Sequence, residues 1–396
     1  VERSVVKVVS LWYNVIEEVR KMITSLKVRL EPNNEQLSLL VKSSGTARWI
    51  YNWTLDRQEK NYANGGSFLS DNDLRKEITQ LKKLEEFSWL GSMSNNIPKQ
   101  AVKDACEAYK KFFKKLSKKP KFKSRKKSRP SFYQDTAKIK FTDTHVRLEK
   151  IGWVRLSEQG RIPTDTKYTN PRVTYDGVRW YISVGIEIAV KSVKLTGVSV
   201  GIDLGIKNLA ICSNRTEPYA NINKTKEIKR LEKKLRRLQR IVSNKYEMNK
   251  KGVRYVKTCN IIKLEKLIRI LYRKLDNIRT DYKQKITTEI VRTKPSRIVM
   301  ESLNVRGMMK NKHLSKAIAQ QGWGELKSMI QYKCDRDGIE FVEADKWYPS
   351  SKTCSACGYI KPKLSLSERT FVCESCGSIL DRDQNASINL SRYQAS

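Results

Sequence analysis

The sequence predicts a chain of mixed class, helical first, then a β-barrel or sheet, then α/β, and three observations carry that expectation. Apolar residues recur at helical spacing from about residue 33 to 117, and short strand-like runs fill 137–189. TGVSVGIDLGIKNLAICS then reads as a buried strand, a tight turn at Gly205 and a second strand, which opens an α/β unit. With 396 residues and 39% hydrophobic content the chain can bury sizeable cores in two or three domains. That excludes global disorder, collagen and small disulfide scaffolds.

The elements follow in order. Residues 1–21 read as an appendage; charges break their apolar run and no small-residue cleavage site follows, so a secretory signal is not expected. SLKVRLEPNNEQ alternates like a strand until Pro32, and a helix is expected from Asn33 and Asn34, with Leu37, Leu40 and Val41 on one side. Helical spacing continues through ARWIYNWTLDRQEKNY, 72–85 and 98–117, interrupted at Gly65, Gly66 and the stretch from Ser92 to Pro98. Here Arg48, Trp49, Tyr51, Asn52 and Trp53 are expected to pack a helical core, and no site is assigned to them. The strands of 137–189 include RVTYD, a turn at Asp176 and Gly177, and WYISVGIEI.

Beyond the buried strand, Ile228, Leu231, Leu235, Leu238 and Val242 alternate three and four apart, as do Leu264, Ile268, Leu271, Leu275, Ile278 and Tyr282. Such seams predict an antiparallel helical hairpin. Its outer faces, loaded with Lys and Arg, suit a solvated surface or a nucleic-acid cradle equally well. SRIVMES is then a strand, 314–334 a helix and IEFVEADK a strand; a cysteine module follows, and DRDQNASINL starts a closing helix.

Charge narrows the function. Eighty Lys and Arg against 41 Asp and Glu give a net charge of +39, a self-repelling surplus unless a polyanion binds it. Between Lys110 and Arg129, twelve of twenty residues are Lys or Arg, interleaved with Phe112, Phe113 and Phe122. A phosphate-tracking surface that includes Lys121, Lys123, Arg125, Lys126 and Lys127 explains this run better than a solvated face, because aromatics stand beside the charge. Cys354, Cys357, Cys373 and Cys376 form two C-x-x-C pairs with fifteen residues between them, each pair followed by a glycine. They predict one structural zinc coordinated by all four thiolates, in a cytosolic, reducing setting, with no ligand position left for water. Trp347, Tyr348, Ser350 and Ser351 suit a packed brace for this knuckle or a stacking platform.

Three places hold carboxylates where an apolar pattern would otherwise continue. Asp203 lies inside VSVGIDLGI, Glu301 ends RIVMES, and Asp381 and Asp383 precede the closing helix. An acid inside an apolar strand is costly unless it is paired or holds a cation. Any one of them alone reads as a cap or salt bridge. Together, around one α/β sheet, they fit metal-dependent phosphodiester hydrolysis in the ribonuclease H manner. With only His145 and His313, histidine-based nuclease chemistry is poorly supported.

GIDLGIKNLA, IVMESLNVRGMMKN, WYPSSKTCSACG, FVCESCG and LDRDQNASINL resemble the TnpB family, transposon-encoded RNA-guided nucleases related to type V CRISPR effectors. KVRLEPNNEQ, ARWIYNWTL and PKFKSRKK extend the resemblance from about Met22 to the C-terminus. It implies an N-terminal extension at 1–21, a wedge β-barrel at 22–46 and 130–196, a helical recognition domain at 47–129, a RuvC-like (ribonuclease H-like) nuclease core at 197–345 and 378–396, and a zinc-binding target nucleic-acid-binding domain at 346–377. It maps a catalytic, magnesium-binding trio onto Asp203, Glu301 and Asp383, the last preferred over Asp381 because the family's aspartate stands two residues before an Asn-Ala pair, here Asn385 and Ala386. Gln284 and Gln320 depart from the usual pattern, and Gln320 raises the question of an altered surround for the site.

The resemblance implies double-stranded DNA cleavage next to a short target-adjacent motif, directed by a transposon-derived guide RNA and carried out with two Mg²⁺. One chain with one RNA, in the prokaryotic cytosol or nucleoid and off the membrane, is the expected assembly. A nuclease-inactive RNA-guided repressor is the alternative, which loss of a trio member would mark. A strand-transfer transposase would need a synapsis apparatus that the sequence does not advertise.

Overall fold

A computed structural model describes residues 21–190, 193–365 and 367–394. The expected appendage at 1–21 lies outside them except for Lys21. Two compact units emerge, one from Lys21 to Ala189 and one from Val190 onward.

In the first unit, β1 (Lys21–Glu31) alternates until Pro32 ends it. Helix α1 (Asn34–Ala63) starts on a capping box, in which the Asn33 side chain accepts from Gln36 N and the Gln36 side chain accepts from Asn33 N. It runs unbroken through Gly45, so the boundary expected between 46 and 47 falls inside a single helix. Helices α2 (Asp71–Leu81) and α3 (Asn96–Phe113) pack beside it, with a 3-10 turn at Glu85–Ser92 between them. Ile50, Leu74, Ile78, Leu90, Val102 and Cys106 form their core. Trp49 packs against Phe87 and Trp89, which is the packing role expected for it.

The strands β2 (Ser131–Tyr133), β3 (Lys140–Phe141), β4 (His145–Leu148), β5 (Gly152–Leu156), β6 (Tyr168–Tyr175) and β7 (Trp180–Ala189) join β1 in a seven-stranded antiparallel sheet of order β2-β6-β7-β1-β5-β4-β3. Asp176 closes the β6–β7 turn by accepting from Val178 N and Arg179 N, and Gly177 takes φ 96° there. One face buries Val28, Leu30, Val146, Val154, Val173, Ile182 and Val184. The sheet curls until the Phe141 ring on edge strand β3 lies 4.8 Å from the Tyr168 ring on β6.

The second unit is built on β8 (Thr196–Leu204), β9 (Asn208–Cys212), β10 (Tyr219–Ala220), β13 (Pro295–Met300) and β14 (Glu340–Glu343), which form a five-stranded sheet of order β10-β9-β8-β13-β14. β13 runs parallel to β8 and β14, whereas β9 runs antiparallel to β8. Helices α4 (Lys226–Met248) and α5 (Cys259–Arg292) form the expected antiparallel hairpin, joined by the small ribbon β11 (Lys250–Lys251) and β12 (Arg254–Tyr255). Three cross-helix bonds fix its register: Arg279 to Glu232, Gln239 to Tyr272 and Tyr246 to Glu265. Each step is seven residues, or two turns, on both helices. Ile228, Leu231, Leu235, Leu271 and Leu275 fill the seam between them.

Beyond β13 come a single turn α6 (Val305–Met308), then α7 (Ser315–Gln321) and α8 (Trp323–Asp337). The ribbon β15 (Thr370–Val372) and β16 (Ile379–Asp381) leads into α9 (Arg382–Ser391). α5 and α8 cover one face of the sheet with Ile286, Ile290, Leu326 and Ile330. On the other face Leu390 of α9 packs on Val299 and Ala344. Covering both faces is why β8 and β13 read as continuous apolar runs. No helix among the described residues is long and apolar enough to cross a membrane.

Candidate functional site

β8 delivers Asp203 near its C-terminal end, and its neighbour β13 delivers Glu301 one residue beyond its own. Asp383 stands in the first turn of α9, which lies directly on β8. Gly201 permits that approach: a Cβ there would lie 2.0 Å from Ser387 O and 2.3 Å from Ser391 N. Acids separated by as much as 180 residues of chain thus share one half-buried corner.

Electrostatics register their proximity. Burial first, then the carboxylates of Glu301 and Asp383, raise the proton affinity of Asp203 well above the usual carboxylate range. Burial pushes Glu301 up to about 7, with Asp383 adding to the effect and a hydrogen bond from Leu204 N opposing it at 3.1 Å. Arg382 offsets part of the negative charge felt by both. Among the described residues the trio does not form a tight ligand cage; the four cysteines are the only such group of His, Cys, Asp or Glu with all ligand atoms within 4.8 Å. A pair of cations about 3.5–4 Å apart calls for oxygens spread around it rather than touching one another. Hard oxygen donors crowded at one corner, where a cation would offset the charge that raises Asp203 and Glu301, fit divalent cations such as Mg²⁺.

Asp381 plays a different part. It is the N-cap of α9, and its Oδ1 accepts from Asp383 N at 2.9 Å and Gln384 N at 3.1 Å. The cap uses one oxygen of Asp381, whose charge also bears on Asp203, whereas the charge of Asp383 bears on both Asp203 and Glu301.

The cysteines meet as their spacing predicts. Cys354 and Cys376 Sγ lie 3.7 Å apart, and Cys357 and Cys373 Sγ 3.6 Å. A tetrahedron with metal–sulfur bonds of about 2.3 Å has edges of about 3.8 Å, so the donor set fits zinc. Each knuckle turns alike: Gly358 N returns to Cys354 O and Gly377 N to Cys373 O, with both glycines at positive φ. Ser378 hydrogen bonds draw Cys376 down to about 6, whereas, against a backbone hydrogen bond at Tyr359, burial and the neighbouring cysteines push Cys357 up to about 11, so the four thiols share a charge that a cation would balance.

Two buried amides, Asn385, which the sequence offered only as a motif landmark, and Asn389, which it did not single out, tie this module to α9. Asn385 donates to Thr353 O at 2.7 Å and accepts from Ser355 N at 2.9 Å, inside the first C-x-x-C. Asn389 donates to Ser350 O and Thr353 O at 2.8 and 2.6 Å. The helix that presents Asp383 therefore also holds the stem of the zinc knuckle. Tyr348 packs edge-on against Tyr393 and donates to Asn389 O, which makes it a brace, whereas Trp347 is 79% exposed. Gln320 donates to Glu232 on α4; it is buried Gln321 that reaches the loop after Asp203, donating to Gly205 O and Ile206 O. Gln284 accepts from Tyr332 on α8.

In the first unit, the basic segment is anchored rather than free along its whole length. Asn52 grips the Lys123 backbone twice, at 2.7 and 2.9 Å, and Lys123 Nζ lies 3.5 Å above the Tyr51 ring. Lys121, Arg125, Lys126 and Lys127 remain exposed around that anchor. Only the identity of Asn52 was visible in sequence; its partner, 71 residues away, was not.

Three family models match the chain. One described as "Cas12f1-like, TNB domain" matches residues 323–390, one described as "Probable transposase" matches 182–312, and one described as "Helix-turn-helix domain" matches 22–67. That last stretch is a strand followed by one unbroken helix. A solved structure of Cas12f1 with sgRNA and target DNA shares the fold, with a TM-score of 0.61 and 16% identity over 94% of this chain and 99% of that one. InsQ of Escherichia coli strain K12, named "Putative RNA-guided DNA endonuclease InsQ", is 28% identical over 388 residues, 93% of this chain and 92% of its own. A Streptomyces pristinaespiralis protein named "Putative RNA-guided DNA endonuclease" is 32% identical over 372 residues, 92% of this chain and 88% of its own. Identity sustained over that share of both chains, together with the acids and cysteines it spans, makes this chain a member of the TnpB family.

Proposed function

We propose that the chain is an RNA-guided DNA endonuclease, cleaving double-stranded DNA beside a short target-adjacent motif under the direction of a bound guide RNA. The observation that carries this reading is the convergence of Asp203, Glu301 and Asp383 at one corner of the second unit. The names of its relatives, and the RNA and DNA in the Cas12f1 complex, point the same way. The sheet order β10-β9-β8-β13-β14 with β9 reversed supports a RuvC-like core at 197–345 and 378–396, and the curled seven-stranded sheet supports a wedge barrel. Acids stand at all three positions, which argues against the nuclease-inactive repressor.

In this reading Asp203, Glu301 and Asp383 would hold two Mg²⁺, which would supply Lewis acidity toward the scissile phosphate and offset its charge. Leu204 N fixes one oxygen of Glu301, and the capping bonds of Asp381 hold the first turn that presents Asp383. One structural zinc would sit among Cys354, Cys357, Cys373 and Cys376. The basic segment from Lys110 to Arg129 would take the phosphates of the guide RNA or its heteroduplex with target DNA. The test is cleavage of a guide-matched duplex with the RNA that co-purifies, with and without Mg²⁺. Guide-dependent, metal-dependent cutting supports the reading, and binding without cutting by the unaltered chain would replace it with the repressor.

A further inference from the structure

Near the end of α3 the first unit leaves aromatic rings in solvent. Tyr62 is 82% exposed, Phe113 59% and Phe68 39%. With Tyr109 and Phe112 they line a groove of about 490 Å³. The rings are ordered against one another: Phe68 meets Phe113 edge-on at 5.7 Å, and Tyr109 stacks on Phe113 at 5.9 Å and 23°. Core packing accounts for Tyr109 and Phe112, which lie against Tyr51, Leu55 and Ala105. It does not account for Phe113 or Tyr62, more than half of whose surface stays in solvent, and a clustered apolar exposure of this kind marks a contact surface.

The charge around the groove says what kind of partner fits. Lys110 and Lys119 are matched by Glu107 and Glu59, whereas Lys111, Lys114, Lys115 and Lys118 carry no ion pair among the described residues. α3 closes on a tight turn in which Lys115 takes φ 57° and Leu116 N returns to Lys111 O at 2.9 Å, so the cations crowd at one end of the helix. A second copy of the chain would bring the same lysines and be repelled. A duplex hides its base faces. A single strand offers flat apolar rings on an anionic thread, matching both features at once.

We propose that Tyr62, Phe68 and Phe113 form a stacking platform for unpaired bases of single-stranded nucleic acid, with Lys111, Lys114, Lys115 and Lys118 taking the adjoining phosphates. The platform rests on the nucleic-acid-binding part of the function proposed above and adds a site to it. Its test uses the full chain and a 20-nucleotide single-stranded RNA carrying 5-iodouridine, which photocrosslinks to stacked rings. The crosslinked peptides are expected to contain Tyr62, Phe68 or Phe113, and a duplex of the same sequence is expected to give none there. Binding is then followed across a salt series. Phe68→Ser with Phe113→Ser is expected to weaken single-strand affinity about ten-fold at every salt concentration and leave the slope unaltered, because stacking releases no counterions. Replacing the four lysines with Gln is expected to flatten the slope. A strand with abasic positions should bind the parent and the serine variant alike. Crosslinks confined to other residues, or an unchanged affinity in the serine variant, would overturn the platform, as would a parent that sediments as a dimer and a serine variant that does not. Guided cleavage by the unaltered chain is scored in the same preparation. If it persists, only the platform has failed; if it is absent from the start, the functional reading fails on its own account.

Discussion

Two aspartates one residue apart, Asp381 and Asp383, show how little separation is needed to divide labour at a helix start. Asp381 caps α9 through one oxygen and Asp383 bears on both other acids, so Ala at each is expected to have unlike effects. Asp203→Ala, Glu301→Ala and Asp383→Ala are expected to abolish Mg²⁺-dependent cleavage and to leave guided DNA binding nearly intact, since they remove cation ligands and leave every phosphate-binding side chain in place. Asp381→Ala should retain measurable cutting and lose about 1 kcal/mol of stability with the cap. Cleavage and binding on one set of preparations decide this, and the reverse ordering would give the cation to Asp381. Glu301 adds a pH test without added Mg²⁺. Its affinity for protons is higher folded, about 7, than unfolded, so the native state binds more protons between about 4.5 and 7 and stability falls as pH rises through that window. Glu301→Gln should therefore raise neutral-pH stability by roughly 1–3 kcal/mol and flatten that fall; equal melting curves at pH 5 and 8 in both proteins would contradict it. The acids were legible in sequence because a carboxylate in an apolar strand is conspicuous. Asn385, Asn389 and Gln321 were not, because a buried amide is identified only by the backbone groups it meets.

Helix α9 presents Asp383 and also holds the stem of the cysteine module, and a glycine opposite it sets how closely it can lie on β8. With Ser387 O and Ser391 N where a Cβ of residue 201 would stand, Gly201→Ala must push the helix off β8 and carry Asp383 away from Asp203. Loss of cleavage together with at least about 2 kcal/mol of stability is expected; an unshifted melt with full activity would show that the helix yields freely. The zinc stem offers a second test on the same helix. Cys354→Ser should empty the cysteine site, and metal analysis is expected to fall from one zinc per chain to near zero, with local unfolding of the knuckle. Asn385→Ala should keep the zinc and loosen the stem, seen as faster amide exchange at Thr353 and Ser355. Element boundaries followed the sequence where one periodicity ruled, as in the α4–α5 seam. They departed at Gly322, whose left-handed backbone at φ 62° splits the helix expected over 314–334 into α7 and α8.

At the scale of the whole chain, +39 is the dominant fact, and it is distributed rather than neutralised. Each unit has its own core, so apolar burial holds the fold, and the charge surplus bears on affinity for a polyanion. The basic segment tests that division because some of its cations are engaged within the fold and others stand open. Lys123 is clamped by Asn52 and lies over Tyr51, while Lys121, Arg125, Lys126 and Lys127 surround it exposed. Replacing those four with Gln should weaken RNA binding and flatten its salt dependence by about 0.7–0.9 for each phosphate no longer neutralised, with the melting temperature nearly constant because exposed charges contribute little to folding. Asn52→Ala should do the opposite in kind: it removes no charge, so the salt slope should hold while affinity falls from the loss of a preformed loop. Affinity across a salt series beside a thermal melt separates the two. An unchanged slope in the four-Gln variant would make the segment a solvated face, and a flattened slope in Asn52→Ala would mean that the clamp itself aligns the cations on the phosphates.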